Sequence, residues 1–153
     1  MVDLTCYSPL RLMAADAEDL TVLSSVLQDG ISKVGDFAYL PNQRRFAFVV
    51  NRFVWECAVD RQSGPFARVR SGVHFDDVVS AQHINIRTDV KDAVIDILAI
   101  SFEEGEEGSG VVTIELAAGG SVRLGVDSIN AQLSDLTAPW PVRSKPDHAL
   151  NDR

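Results

Sequence analysis

The chain has two cysteines, three histidines and three lysines among its 153 residues, and no long apolar run. Two cysteines are too few for a disulfide framework, and neither Cys6 nor Cys57 belongs to a C-x-x-C pair of the kind that holds zinc. Cys57, close to Trp55 and Ala58 in an aromatic-rich stretch, reads as a small buried hydrophobe rather than a nucleophile. His74, His83 and His148 are far apart, and His74-Phe75-Asp76-Asp77 lacks a second histidine at helical or strand spacing, so no metal site is expected. A membrane span needs ~20 consecutive apolar residues, which this sequence never approaches. The N-terminal stretch MVDLTCYSPLRLMAAD carries acidic residues where a secretory signal would be basic and then apolar, so the expectation is a cytoplasmic protein with no membrane partner. Catalytic signatures are missing too. Gly105, Gly108 and Gly110 lie between strands amid glutamates that would repel phosphate, no serine stands in a G-x-S-x-G elbow, and the abundant carboxylates read as solvated turns. No cofactor is expected and no catalytic residue is assigned.

What the chain does have is acid: 22 acidic against 14 basic residues, a net charge of −8, which disfavours nucleic acid as a partner. The balance inverts locally. Between Arg44 and Arg70 lie six arginines against only Glu56 and Asp60, which is +4 there and −12 for the rest. Arginine offers a planar fork suited to carboxylate or phosphate and tolerates partial burial better than lysine. Arg45, Arg52, Arg61, Arg68 and Arg70 are therefore the candidate binding residues, with an acidic protein or a small anion as the partner. The competing reading pairs them with the surplus carboxylates. Arg52 and Glu56 would stand roughly 13 Å apart on one straight strand at ~3.3 Å per residue, so they cannot meet unless the chain bends. Trp140, between Pro139 and Pro141, reads as a core plug.

Patterning supplies the elements. Leu10–Met13 alternates as a short strand, and a helix follows with Asp16 as N-cap, Glu18 and Asp19 in its first turn, Leu20, Leu23 and Leu27 on one face and Gly30 at its end. Ile31–Val34 and Asp36–Leu40 are extended. Arg45–Val59 is a long strand in which Phe46, Phe48 and Val50 share one parity while Phe53 and Trp55 share the other, which predicts a bulge near Asn51. Phe66–Phe75 and Val78–Thr88 flank an Asp76-Asp77 turn. Val94–Phe102 is apolar on both parities, as in a central strand covered on both faces. After the acidic loop 103–110 come two alternating strands, Val111–Leu116 and Ser121–Val126, joined at Gly119-Gly120. Ile129, Leu133 and Leu136 at i, i+4 and i+7 predict a second helix capped by Asp127 or Ser128.

The expected fold class is α+β: an antiparallel, pleckstrin-homology-like barrel of about seven strands with a C-terminal helix, preceded by an N-terminal strand and helix. One domain spans 1–153, with the strand-helix extension at 10–29, the barrel and closing helix at 31–137 and a tail at 138–153. Over nearly its whole length the chain also resembles a family of uncharacterised proteins known mainly from alphaproteobacteria. The residues that carry the resemblance include Leu10-Arg-Leu-Met-Ala, Asp36-Phe-Ala-Tyr-Leu-Pro41, Asn51-Arg-Phe-Val-Trp-Glu56, Gly119-Gly-Ser-Val-Arg-Leu124 and Leu133-Ser-Asp-Leu136. The resemblance implies a bacterial cytoplasmic protein of unassigned activity.

Three functions fit. The first is a non-enzymatic binding or interaction module using the arginine face. The second is an enzyme or small-ligand-binding protein with a pocket at the barrel mouth, drawing on Arg52, Glu56, His74 or Arg123. The third is a homodimer paired through edge strands, so that the chain is either a monomer or a homodimer.

Overall fold

The computed structural model describes residues 5–58 and 63–146. β1 (Arg11–Ala14) leads into α1 (Ala17–Leu27). Asp16 has extended backbone and its carboxylate accepts from the Asp19 N–H at 2.7 Å, with Glu18 and Asp19 set against the positive end of the helix dipole. Leu20, Leu23 and Leu27 are buried, each a contribution of roughly 1.5–3 kcal/mol. The left-handed residue after the helix is Asp29, at φ 61°, rather than Gly30. Gly30 is needed for space instead: a Cβ there would lie 2.7 Å from Val50 Cγ2.

The strands that follow are β2 (Ile31–Lys33), β3 (Phe37–Leu40), β4 (Arg45–Phe53), β5 (Phe66–Phe75), β6 (Val78–Ile84), β7 (Val94–Glu104), β8 (Gly110–Leu116), β9 (Ser121–Val126), β10 (Ala131–Asp135) and β11 (Trp140–Val142). They form one antiparallel sheet ordered β1-β10-β5-β4-β2-β7-β8-β9-β6, with β3 added to β4 and β11 to β5. α1 packs on β7, where Ser24 Oγ accepts from the Ile100 N–H at 2.8 Å.

This corrects the expected fold class. The sheet is open and mostly antiparallel, not a pleckstrin-homology-like barrel, and the segment expected as its closing helix is β10. The apolar spacing was ambiguous. Ile129, Ala131 and Leu133 also alternate with period two, and all three are buried. Backbone pairing decides between the two periods, because the segment fills the gap between β1 and β5 with Leu133 opposite Leu12 on one side and Val73 on the other. Just before β10, Asp77 accepts from Ser128 Oγ at 3.1 Å and Asn130 Nδ2 at 3.2 Å.

The main core lies on the inner face, where Phe48, Val50, Val73, Ile97, Ile114 and Leu124 belong to one cluster with Leu20, Leu23 and Leu27 of α1. β4 carries no bulge at Asn51: its register with β5 runs unbroken from Phe46 opposite Phe75 to Phe53 opposite Arg68. Phe53 is satisfied on the outer face by a separate cluster with Ala58, Phe66, Trp55 and Val142. A bulge falls in β7 between Ile97 and Ala99, and it brings Ile100 inward after Ile95 and Ile97. β7 is central but not covered on both faces, since Val94 is 69% exposed. Trp140 is half-buried in β11. Cys57 is not a lone hydrophobe: it is bonded to Cys6, with the two Cα atoms 5.5 Å apart. Among the described residues no helix is long and apolar enough to cross a membrane.

Candidate functional site

Arg52 is fully buried on the inner parity of β4. Where β4 ends, a 3-10 turn at Trp55–Cys57 folds the chain back, and Glu56 returns to accept from Arg52 Nη1 and Nη2, each at 3.0 Å. From β10, Asp135 accepts from Arg52 Nε at 2.9 Å and Nη2 at 2.8 Å, and also from Ser71 Oγ, Tyr7 OH and the Leu10 N–H. Burial works against the guanidinium charge, but the Asp135 and Glu56 hydrogen bonds outweigh it and raise the Arg52 pKa. Burial likewise pushes Asp135 up, yet hydrogen bonds from Arg52, Leu10 and Ser71 hold its carboxyl below the ordinary range. Burial, then the bond to Asp135, pushes Tyr7 up to about 12.

The other sequence candidates lie elsewhere. On β5, Arg68 Nη1 donates to the carbonyls of Asn51 at 2.8 Å and Asp29 at 3.1 Å, and its guanidinium carbon stands 5.8 Å from the Phe53 ring centroid. Burial lowers the Arg68 pKa against the opposing charges of Asp96 and Asp29. Arg45 Nε donates to Asp76 Oδ1 at 2.7 Å, and Asp76 Oδ2 lies 3.3 Å from His74 Nδ1. Arg70 Nη1 donates to Asn51 Oδ1 at 3.3 Å and has no carboxylate partner among the described residues. Arg61 lies outside the described residues. Arg45, Arg68 and Arg70 sit on outward parities of β4 and β5 while Arg52 points inward, so the sequence cluster does not form one continuous face.

The inner face holds a feature that the sequence reading did not single out. Between β3 with β4 on one side and β6 with β9 on the other lies a cavity of about 270 Å³. Phe37 and Tyr39 face it from β3, opposite Phe48 and Phe46, and the Phe37 and Phe48 rings stack at 4.7 Å. Ala81 and His83 face it from β6, in register with buried Leu124 and Val122. Val34, Ile86 and Ile95 complete the apolar wall. Gln82, His83, Thr88 and Lys91 also line it and all four are exposed, so polarity is concentrated where the cavity opens. None of Arg52, Glu56, His74 and Arg123 lines it. A bulge in β6 between Val78 and Ser80 hides this site from sequence. Strict alternation from buried Val78 would turn Gln82 inward and His83 outward, and the bulge reverses that assignment.

Sheet and cavity together define a class: an open antiparallel sheet whose packed inner face carries an apolar recess with a polar rim. The chain belongs to the family described as Protein of unknown function (DUF2948), which matches residues 10–148. Neither a curated protein nor a solved structure matches it.

Proposed function

We propose that this chain is a non-enzymatic binding protein that holds a small, mostly apolar molecule in the recess between β3 and β6. The recess itself carries the reading, because its roughly 270 Å³ lie between apolar walls and open to solvent at one side, where an apolar ligand of fitting shape gains dispersion contacts and leaves water. Its aromatic and aliphatic wall with few polar groups is the usual composition of a ligand site. The test uses 4-fluorotoluene, a neutral probe that fits the volume, followed by 19F NMR. Wild-type protein broadens and shifts its resonance, and Ala81→Phe, which fills the recess, abolishes the effect while leaving the circular dichroism spectrum unchanged. An unperturbed resonance with wild type overturns the reading.

A second reading keeps the arginine face for an acidic protein partner. It is favoured by Arg70, which has no carboxylate partner among the described residues, and it includes Arg45, Arg61 and Arg68 as neighbours in sequence. Affinity capture from cell extract with Arg70→Glu alongside wild type tests it, and a partner retained equally by both refutes it. In either reading the setting is the bacterial cytoplasm and the protein acts as a monomer or homodimer. Disulfides are rare there, so this setting requires Cys6 and Cys57 to be reduced thiols in the cell, and alkylation of both in rapidly quenched extract is the result that supports it.

A further inference from the structure

We infer that the ligand of this recess is a single-headed anionic amphiphile, a monocarboxylate with an apolar body of roughly ten non-hydrogen atoms; this rests on the cavity reading above. The size follows from volume. A cavity of ~150 Å³ takes benzene, so 270 Å³ takes a body not quite twice as large.

The head group follows from charge. The protein carries 22 carboxylate side chains and 14 cations, yet the ionisable residues that line the recess include His83, Lys91 and Tyr39 and no Asp or Glu. Five cations elsewhere pair with carboxylates, Arg44 with Asp127, Arg45 with Asp76, Arg52 with Asp135 and Glu56, Arg87 with Asp89, and Lys33 with Asp92, whereas Arg70 on the outer face has no carboxylate partner among the described residues. Lys91 has no carboxylate within ion-pair distance among the described residues. An exposed ammonium and an imidazole at the opening of an apolar recess match a ligand whose charge stays at the rim while its body enters, with the Tyr39 and Thr88 hydroxyls as further hydrogen-bond donors to a carboxylate. A cationic ligand would meet like charge there, and a neutral one would leave Lys91 unused.

The experiment is competition for bound 4-fluorotoluene by octanoate, 1-heptanol and heptylammonium, which share a heptyl tail and differ in head group. Octanoate displaces the probe at a concentration at least tenfold below that of either alternative. In Lys91→Gln/His83→Gln the octanoate advantage falls to less than threefold while 4-fluorotoluene still binds, which separates loss of head-group recognition from loss of the cavity. Equal displacement by the three compounds, or an octanoate advantage that survives in the double variant, overturns the carboxylate assignment and leaves the cavity reading standing. Failure of 4-fluorotoluene to bind wild-type protein overturns both.

Discussion

Asp135→Asn is close to isosteric, yet it strikes the most heavily used acceptor described above. The Asp135 carboxylate accepts Arg52 Nε at 2.9 Å, Arg52 Nη2 at 2.8 Å, Ser71 Oγ at 2.7 Å, Tyr7 OH at 2.9 Å and the Leu10 N–H at 2.8 Å. An asparagine has one acceptor oxygen, and its NH2 would face donors at the other position. The charge disappears as well, and Arg52, 0% exposed, is left with Glu56, whose side chain is 32% exposed. Removing one partner of a buried pair costs about 3–5 kcal/mol, a large share of the ~5–15 kcal/mol that holds a domain together. At ~2–4 °C per kcal/mol for a chain of this length, Tm falls by roughly 6–20 °C. Urea denaturation followed by far-UV circular dichroism measures the loss. Arg52→Met and the double variant complete a cycle in which the combined cost is smaller than the sum by at least ~1 kcal/mol, because the second change no longer strands a charge. A loss below ~0.5 kcal/mol for Asp135→Asn, or additivity within that margin, refutes the reasoning.

The same network sets two pH limits. The carboxyl of Asp135 is held below its ordinary value, so its contribution to stability is complete above pH ~4 and is lost as pH falls through the lowered value. Tyr7 is raised from 10.0 to about 12, so its contribution is complete below pH 10 and is lost as pH rises toward 12. Tyr7→Phe flattens the alkaline limb of a Tm-against-pH curve, and an unchanged limb contradicts the assignment. The Cys6–Cys57 bond closes a loop of 51 residues, which corresponds to roughly 4 kcal/mol from restriction of the unfolded chain. Cys6→Ser therefore lowers the urea midpoint of oxidised protein and makes it insensitive to dithiothreitol, and equal midpoints for oxidised wild type and variant would contradict this.

Local signals were legible where one residue type decides the structure. Asp16 announces its cap, and Asp76-Asp77 its turn, with Asp77 at φ 59°. Signals failed where two periods coincide or where a bulge resets parity. Residues 129–136 satisfy both a helical and an alternating pattern, and only pairing with β1 and β5 chooses between them. The change of parity expected at Asn51 rests on the correct observation that Phe46 and Phe53 fall on opposite faces. Its cause is a second small core rather than a bulge, and a second core cannot be read from one strand. The Arg52–Glu56 pair was excluded for a straight strand and exists because the chain turns at Trp55. The recess depends on strands distant in sequence and on the β6 bulge, so neither His83 nor Lys91 stood out beforehand.

The central claim is that the inner-face recess is where this protein meets its ligand, and a titration of 15N-labelled protein with octanoate, followed by amide chemical shifts, tests it most directly. The account predicts shifts confined to Val34 and β3, to Ala81–Ile84 of β6 and the residues after it, and to Phe46, Ile95 and Val122, with the amides of Arg70 and Gly72 on the outer face unmoved. Shifts centred on the outer face of β4 and β5, or none at millimolar octanoate, would contradict it.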